Sequence, residues 1–287
     1  MNLPQDMHAL RPVDENASGM SRRWFFKGAT VVGAASAVAL GGLLSRAPAL
    51  GQDAEHEDSH GKDKFTKGDT DILLAAEIAE ALAVTTYSNI INMAPFFQRL
   101  PSDDQGYLAA ALQEEMSHYL LEQSVTDQPT SFTSFFYPQN MFADAQTTLN
   151  TLVTLEDAFI AAYLIGVRNF STRDLRVTAA RIMGIESDHR TLARVLAGDV
   201  ASQDGGPIET ITGIQGKAES IDPPNNNGYE RTLCLTKIDQ AVQALLPFVD
   251  LASAQAAGFD TSNSYQFESF NPTLPSPLGD FISFKGC

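Results

Sequence analysis

The sequence predicts an all-α fold: a four-helix bundle with one long crossover between its second and third helices, and a helical extension at the C-terminus. Three observations predict it. Four successive stretches carry apolar residues at helical spacing. The connections between them run short, long, short. And a pattern of chemically costly residues recurs once in each half: Glu80 with Tyr87, Glu115 with His118, then Glu156 with Tyr163, Glu186 with His189.

The N-terminus reads as an address. Ser21-Arg22-Arg23-Trp24-Phe25-Phe26-Lys27 is a twin-arginine export motif. An apolar stretch from Gly28 to Leu44 follows it, and Ala47-Pro48-Ala49 offers an A-x-A cleavage site. Residues 1–49 are thus expected to be a signal peptide. The twin-arginine translocase is then a partner during export, and the destination is periplasmic or extracellular. An uncleaved membrane anchor is the competing reading, although an apolar run of about 17 residues is at the short limit for spanning. A twin-arginine signal implies export of a folded protein.

The whole chain of 287 residues has a formal net charge of −16. Residues 1–49 hold 3 acids and 5 bases; the remainder has 32 acids and 14 bases, a net charge of −18. That balance disfavours nucleic acid, whose binding needs Lys and Arg to neutralise phosphates. It suits a chain that attracts cations. The two cysteines, Cys234 and Cys287, can pair in an oxidising compartment or stay as free thiols.

Residues 50–68 form a charged linker with little apolar content. Glu57 and His60 repeat the Glu-x2-His spacing inside it, but no apolar periodicity surrounds them, so they are read as a coincidence. The bundle proper is expected over residues 69–198. Its first helix runs from Asp69 or Thr70 to Met93, with Asp69 as cap and Pro95 as stop. The second opens at Ser102, where Ser102 and Gln105 have capping-box spacing, and continues to about Val125. The third runs from near Asp144 to Asn169. The fourth starts at Ser171 or Thr172 and ends at Ala197, with Gly198 just beyond it.

Helices one and two are joined by about eight residues and helices three and four by one or two, so each pair is antiparallel. The second connection, Thr126 to Ala143, carries Phe132, Phe135, Phe136, Tyr137 and Phe142. Fully extended it reaches roughly 55–60 Å, against about 36 Å for a 24-residue helix, so it can run the length of the bundle. Its aromatics are expected to cover apolar surface. Residues 199–287 form a C-terminal extension packed on the bundle. Within it, Tyr229 to Ala257 has helical spacing, Pro247 is expected to kink or end that helix, and the chain from Gly258 is expected to be irregular.

The repeated pattern carries the chemistry. Residues three apart lie on one helix face about 5–6 Å apart, so Glu115 and His118 can share one metal, as can Glu186 and His189. Glu80 lies about 14 residues before the end of its helix and Glu115 about 13 after the start of the next, which puts both some 20 Å from the shared turn. Glu156 and Glu186 meet at the same depth. Glu80 and Glu156 sit among apolar neighbours, where a carboxylate costs several kcal/mol unless paired or coordinated. Four carboxylates and two imidazoles in this order are the ligand set of a dinuclear metal site in a four-helix bundle. Solvated glutamates and satisfied histidines are the bland alternative. Glu77, one turn before Glu80, competes with it; Glu114 has the wrong phase to His118. Tyr87 and Tyr163 are expected close to the site without ligating, or else as core or rim tyrosines.

These residues resemble the ferritin-like superfamily. More narrowly, the chain is similar to exported ferritin-like domain proteins related to plant desiccation-related proteins. The resemblance rests on Ala76-Glu77-Ile78-Ala79-Glu80 with Tyr87, on Glu115 with His118, on Leu155-Glu156 with Tyr163, and on Glu186 with His189. Asn226-Asn227-Gly228-Tyr229-Glu230 supports it, and it covers about residues 68–255. It implies a ferritin-like four-helix bundle with two Fe ions, or two Mn ions, one on Glu80, Glu115 and His118 and the other on Glu156, Glu186 and His189. Two of the glutamates would bridge. The additions at both ends depart from true ferritins and speak against a hollow storage cage; assembly into a homo-oligomer stays open. The leading expectation is oxidase or ferroxidase chemistry on Fe2+, O2 or peroxide in stress protection. A di-manganese catalase would use nearly the same ligands. A non-enzymatic stress-related protein stapled by its metals is the alternative of a different class.

Overall fold

The computed structural model describes residues 65–127, 129–199, 233 and 235–273. The expected export signal, Glu57 and His60, the Asn226-Asn227-Gly228 loop and both cysteines lie outside the described residues. The fold is an all-α bundle. Its four main helices are α1 (Lys67–Met93), α2 (Ser102–Thr126), α3 (Ala145–Asn169) and α4 (Arg173–Asp199). Two shorter helices follow, α5 (Ile238–Val249) and α6 (Leu251–Ala256). Strand β1 (Ser134–Pro138) lies in the crossover and β2 (Phe259–Gln266) follows α6.

Helix boundaries follow local chemistry, with corrections to the expected caps. The cap of α1 is Thr66, not Asp69. Thr66 Oγ1 accepts from the Asp69 backbone N–H at 3.2 Å, and the Asp69 carboxylate accepts from the Thr66 N–H at 2.8 Å, a reciprocal box that uses two orphan donors. The helix ends at Met93, because Ala94 precedes Pro95 and is pushed to extended backbone. Ser102 is not a cap: Pro101 holds that position without a side-chain bond, and the Gln105 amide donates to the Leu100 carbonyl instead. Asp144 caps α3 as expected, accepting from the Thr147 N–H at 2.8 Å. Helix α4 does not stop at Ala197 but continues through Gly198 to Asp199.

The direction of the helices is fixed by polar contacts at one end. Asp69, in the first turn of α1, accepts a hydrogen bond from the Ser171 backbone N–H at 2.7 Å, and Ser171 joins α3 to α4. Thr126, the last residue of α2, donates to Glu77 near the start of α1 at 3.1 Å. The C-termini of α2 and α3 therefore share the end where α1 begins. Helices α2 and α3 run the same way, so the crossover must traverse the bundle. Its contacts trace that path: the Thr130 N–H donates to Tyr119, and the Tyr137 hydroxyl lies 3.0 Å from that of Thr86.

The aromatics of the crossover cover apolar surface, as expected; Phe135, Tyr137 and Phe142 are buried in the main core with Phe248 and Phe259. The chain beyond Gly258 is not irregular throughout. Strand β2 pairs antiparallel with β1, Phe135 opposite Tyr265 and Pro138 opposite Phe259. The extension is thus stitched to the crossover. Helix α5 runs through Pro247 and ends two residues later, and Asp250 then caps α6. Helix α3 is long and apolar enough to cross a membrane by composition, yet most of it is buried in the bundle, as expected of a core helix. A second apolar cluster, with Ile72, Leu121, Leu175 and Ile182, lies toward the α1 N-terminus.

Candidate metal centre

The six residues singled out from the sequence come from all four main helices and meet in the interior. Glu80 is on α1, Glu115 and His118 on α2, Glu156 on α3, Glu186 and His189 on α4. All six are at least nine-tenths buried. They form two overlapping groups. Ligand atoms of Glu80, Glu115, His118 and Glu186 lie within 4.8 Å of one another, and so do those of Glu115, Glu156, Glu186 and His189. Glu115 and Glu186 belong to both.

Both imidazoles turn Nδ1 inward. His118 Nδ1 lies 3.2 Å from Glu186 Oε1 and 3.6 Å from carboxylate oxygens of Glu80 and Glu115. His189 Nδ1 lies 2.8 Å from Glu115 Oε1 and 3.5 Å from Glu186 Oε2. The other nitrogen of His189, Nε2, lies 2.8 Å from Glu114 Oε2. A carboxylate behind a histidine is the arrangement that orients imidazole ligands. Glu114 is thus in reach of His189 on α4.

The two tyrosines are exchanged between motifs. Tyr87 donates its hydroxyl to Glu156 Oε1 at 2.7 Å, across from α1 to α3. Tyr163 donates to Glu80 Oε1 in the opposite direction, and is also 2.8 Å from Glu122 Oε1. Each Glu-x6-Tyr motif therefore anchors the glutamate of the other. Burial, reinforced by the facing carboxylates, raises both phenols well above their ordinary value, so they keep their protons and act as donors.

The electrostatics are those of too many carboxylates in a dry space. Burial, and then the charges of Glu115 and Glu186, push Glu80 and Glu156 well above the usual carboxylate range. Burial acts the same way on Glu115, but the two histidines, His189 foremost, outweigh it and hold that carboxyl below its usual range. Burial disfavours charge on His118 and His189, yet the surrounding carboxylates raise both well above their ordinary value. Even so, both oxygens of Glu115 and of Glu186, Oε2 of Glu80 and of Glu156, and Nδ1 of both histidines carry no hydrogen bond. Buried polar atoms are almost always bonded, and a buried charge left unpaired costs several kcal/mol. A divalent cation would supply the missing partner, and carboxylate with imidazole is a donor set that such ions accept. The residues present fit a metal site.

Glu77 does not compete with Glu80. It turns to Thr126, and burial raises its carboxyl to about 7. The sequence reading set Glu114 aside, and two further neighbours escaped it: Glu122, and a buried pair, Arg190 Nη1 at 2.9 Å from Asp157 Oδ1. Glu122 lies seven residues after Glu115 and four after His118, so extending the α2 face by one turn would have found it. Glu114 and the Arg190–Asp157 pair depend on how separate helices face each other, which no single helix reveals.

Residues 66–199 match the family described as a ferritin-like domain. No curated protein matches the chain.

Proposed function

Because residues 66–199 form a ferritin-like domain, we propose that the chain holds two iron or manganese ions on Glu80, Glu115, His118, Glu156, Glu186 and His189, and uses them for oxidase-type chemistry. The observation that carries this reading is the sharing of Glu115 and Glu186 between two groups of ligand atoms. Two shared carboxylates, each with both oxygens free of hydrogen bonds, would be available to both ions. Glu80 and His118 would hold the ion on one side, Glu156 and His189 the ion on the other.

A redox-active pair held there would supply one electron from each ion toward dioxygen or peroxide. The protein's part is positional. Tyr87 and Tyr163 hold one oxygen of Glu156 and of Glu80 and leave the other free to coordinate. Glu114 fixes the ring of His189 with Nδ1 inward. The apolar side chains around the cluster exclude bulk water, which strengthens every charge interaction inside. The reaction we favour is oxidation of Fe2+ by O2 or peroxide in stress protection. The twin-arginine motif at Arg22-Arg23 supports a folded, metal-loaded protein acting outside the cytoplasm.

The test is metal analysis of the full chain purified from its native compartment, followed by oxygen measurement. Uptake of O2 on addition of Fe2+ is the expected result. Evolution of O2 from peroxide by a manganese-loaded chain would instead assign it as a catalase. A chain with no stoichiometric Fe or Mn would overturn the enzymatic reading.

A further inference from the structure

The two sides of the cluster have matching ligands but unequal support. Each offers one glutamate and one imidazole of its own, together with the shared carboxylates of Glu115 and Glu186. Neither the number nor the type of ligand distinguishes them. The difference lies behind the ligands.

His189 is held from the back. Its Nδ1 faces the cluster, and its Nε2 lies 2.8 Å from Glu114 Oε2. An imidazole that ligates through Nδ1 carries its hydrogen on Nε2. Glu114 accepts that hydrogen, so it fixes both the tautomer and the ring plane before an ion arrives. Tyr87 packs against the same ring in a T-shaped contact, with centroids 5.6 Å apart. His118 also turns Nδ1 inward, but among the described residues no hydrogen bond reaches its Nε2. Its side chain keeps 11 % exposure, against 4 % for His189. The glutamates repeat the contrast. Tyr87 donates to Glu156. The Tyr163 hydroxyl faces both Glu80 and Glu122, with one hydrogen for the two.

We propose that the two positions are unequal: the Glu156–His189 position holds a resident ion, and the Glu80–His118 position takes the ion that exchanges with solution, Fe2+ as substrate. The inference rests on the metal-pair reading above and assigns a separate role to each half. A ring already oriented loses less freedom on binding, and an outer hydrogen-bond partner is worth about 10- to 100-fold in metal affinity. The exposed part of His118 places the second position next to solution.

The test titrates Zn2+, a redox-inert ion, into the full chain stripped of metal and follows isotope-labelled histidine nitrogens by nuclear magnetic resonance. The chain has five histidines, and His118→Gln and His189→Gln assign the two that matter. A tenfold preference puts about three-quarters of the first equivalent on His189 and about a quarter on His118, and the second equivalent completes both. With chelator in excess, His118 is expected to return to its free position about tenfold faster than His189. Glu114→Ala is expected to bring the two shares to about equal, while Glu114→Gln, whose amide oxygen still accepts from Nε2, preserves the order. The Glu114 side chain is 36 % exposed, so neither variant opens the core. Equal filling in the unaltered chain, earlier filling of His118, or an unchanged order in Glu114→Ala would overturn this inference and leave the metal pair standing. Shifts at neither His118 nor His189 would overturn both.

Discussion

Tyr87, on α1, donates its hydroxyl to Glu156, on α3, at 2.7 Å. The reverse exchange runs from Tyr163 to Glu80. Each bond takes one oxygen of a glutamate and leaves the other toward the cluster, so each tyrosine sets the direction in which a terminal carboxylate points. Tyr87→Phe is expected to weaken metal binding about 10- to 100-fold without removing a ligand, the usual cost of losing an outer partner. Tyr163→Phe should cost more, because it releases Glu80 and Glu122 together. Metal titration of the stripped chain checks both; unchanged affinity in both would mean that the exchange is packing alone.

Glu114 stands behind His189 as Tyr87 stands behind Glu156. The His189 hydrogen bond, more than any other contact, lowers the Glu114 carboxyl. Glu114→Gln should keep the geometry and weaken metal binding modestly; Glu114→Ala is expected to weaken it about tenfold or more. Comparing the two by competition with a chelator separates charge from orientation.

Glu77 provides a pH signature away from the cluster. Burial raises its carboxyl from 4.5 to about 7, against a smaller opposing effect of the Thr126 hydrogen bond. The folded chain therefore keeps a proton that the unfolded chain releases near 4.5. Stability from this group is complete below that value and is lost as pH rises through about 7. Glu77→Gln, which needs no proton, is expected to raise the melting temperature at pH 8 and leave it unchanged at pH 5, with a gain of no more than about 3 kcal/mol. Equal effects at the two pH values would contradict the assignment.

Arg190 and Asp157 follow His189 and Glu156 in the chain and meet 2.9 Å apart with little exposure. Removing Asp157 takes this partner from the buried Arg190 guanidinium. Asp157→Ala is expected to cost about 3–5 kcal/mol of unfolding free energy, and replacing both by apolar residues of similar volume should recover most of it. Denaturant unfolding of the single and double variants decides this.

Much of the site could be read from the chain because its cause is local. Glu115 with His118 and Glu186 with His189 share helix faces by spacing alone, and short connections set Glu80 level with Glu115 and Glu156 with Glu186. What could not be read depends on the way separate helices face each other. Sharing of Glu115 and Glu186, the exchange of Tyr87 and Tyr163, and the partnership of Glu114 with His189 are all relations across helices. The pairing of Phe135 with Tyr265 was hidden for a related reason: the partners are far apart in sequence and neither strand alternates cleanly. At the second helix, Ser102 and Gln105 had the right spacing for a box, but Pro101 took the cap and Gln105 turned back to Leu100.

The shared position of Glu115 and Glu186 is the centre of this account, and metal stoichiometry tests it most directly. Element analysis of the full chain is expected to find two Fe or Mn ions per chain, one in Glu80→Ala and in Glu156→Ala, and none in Glu115→Ala or Glu186→Ala. A Glu115→Ala chain that still holds both ions, or an unaltered chain that holds none, would contradict it.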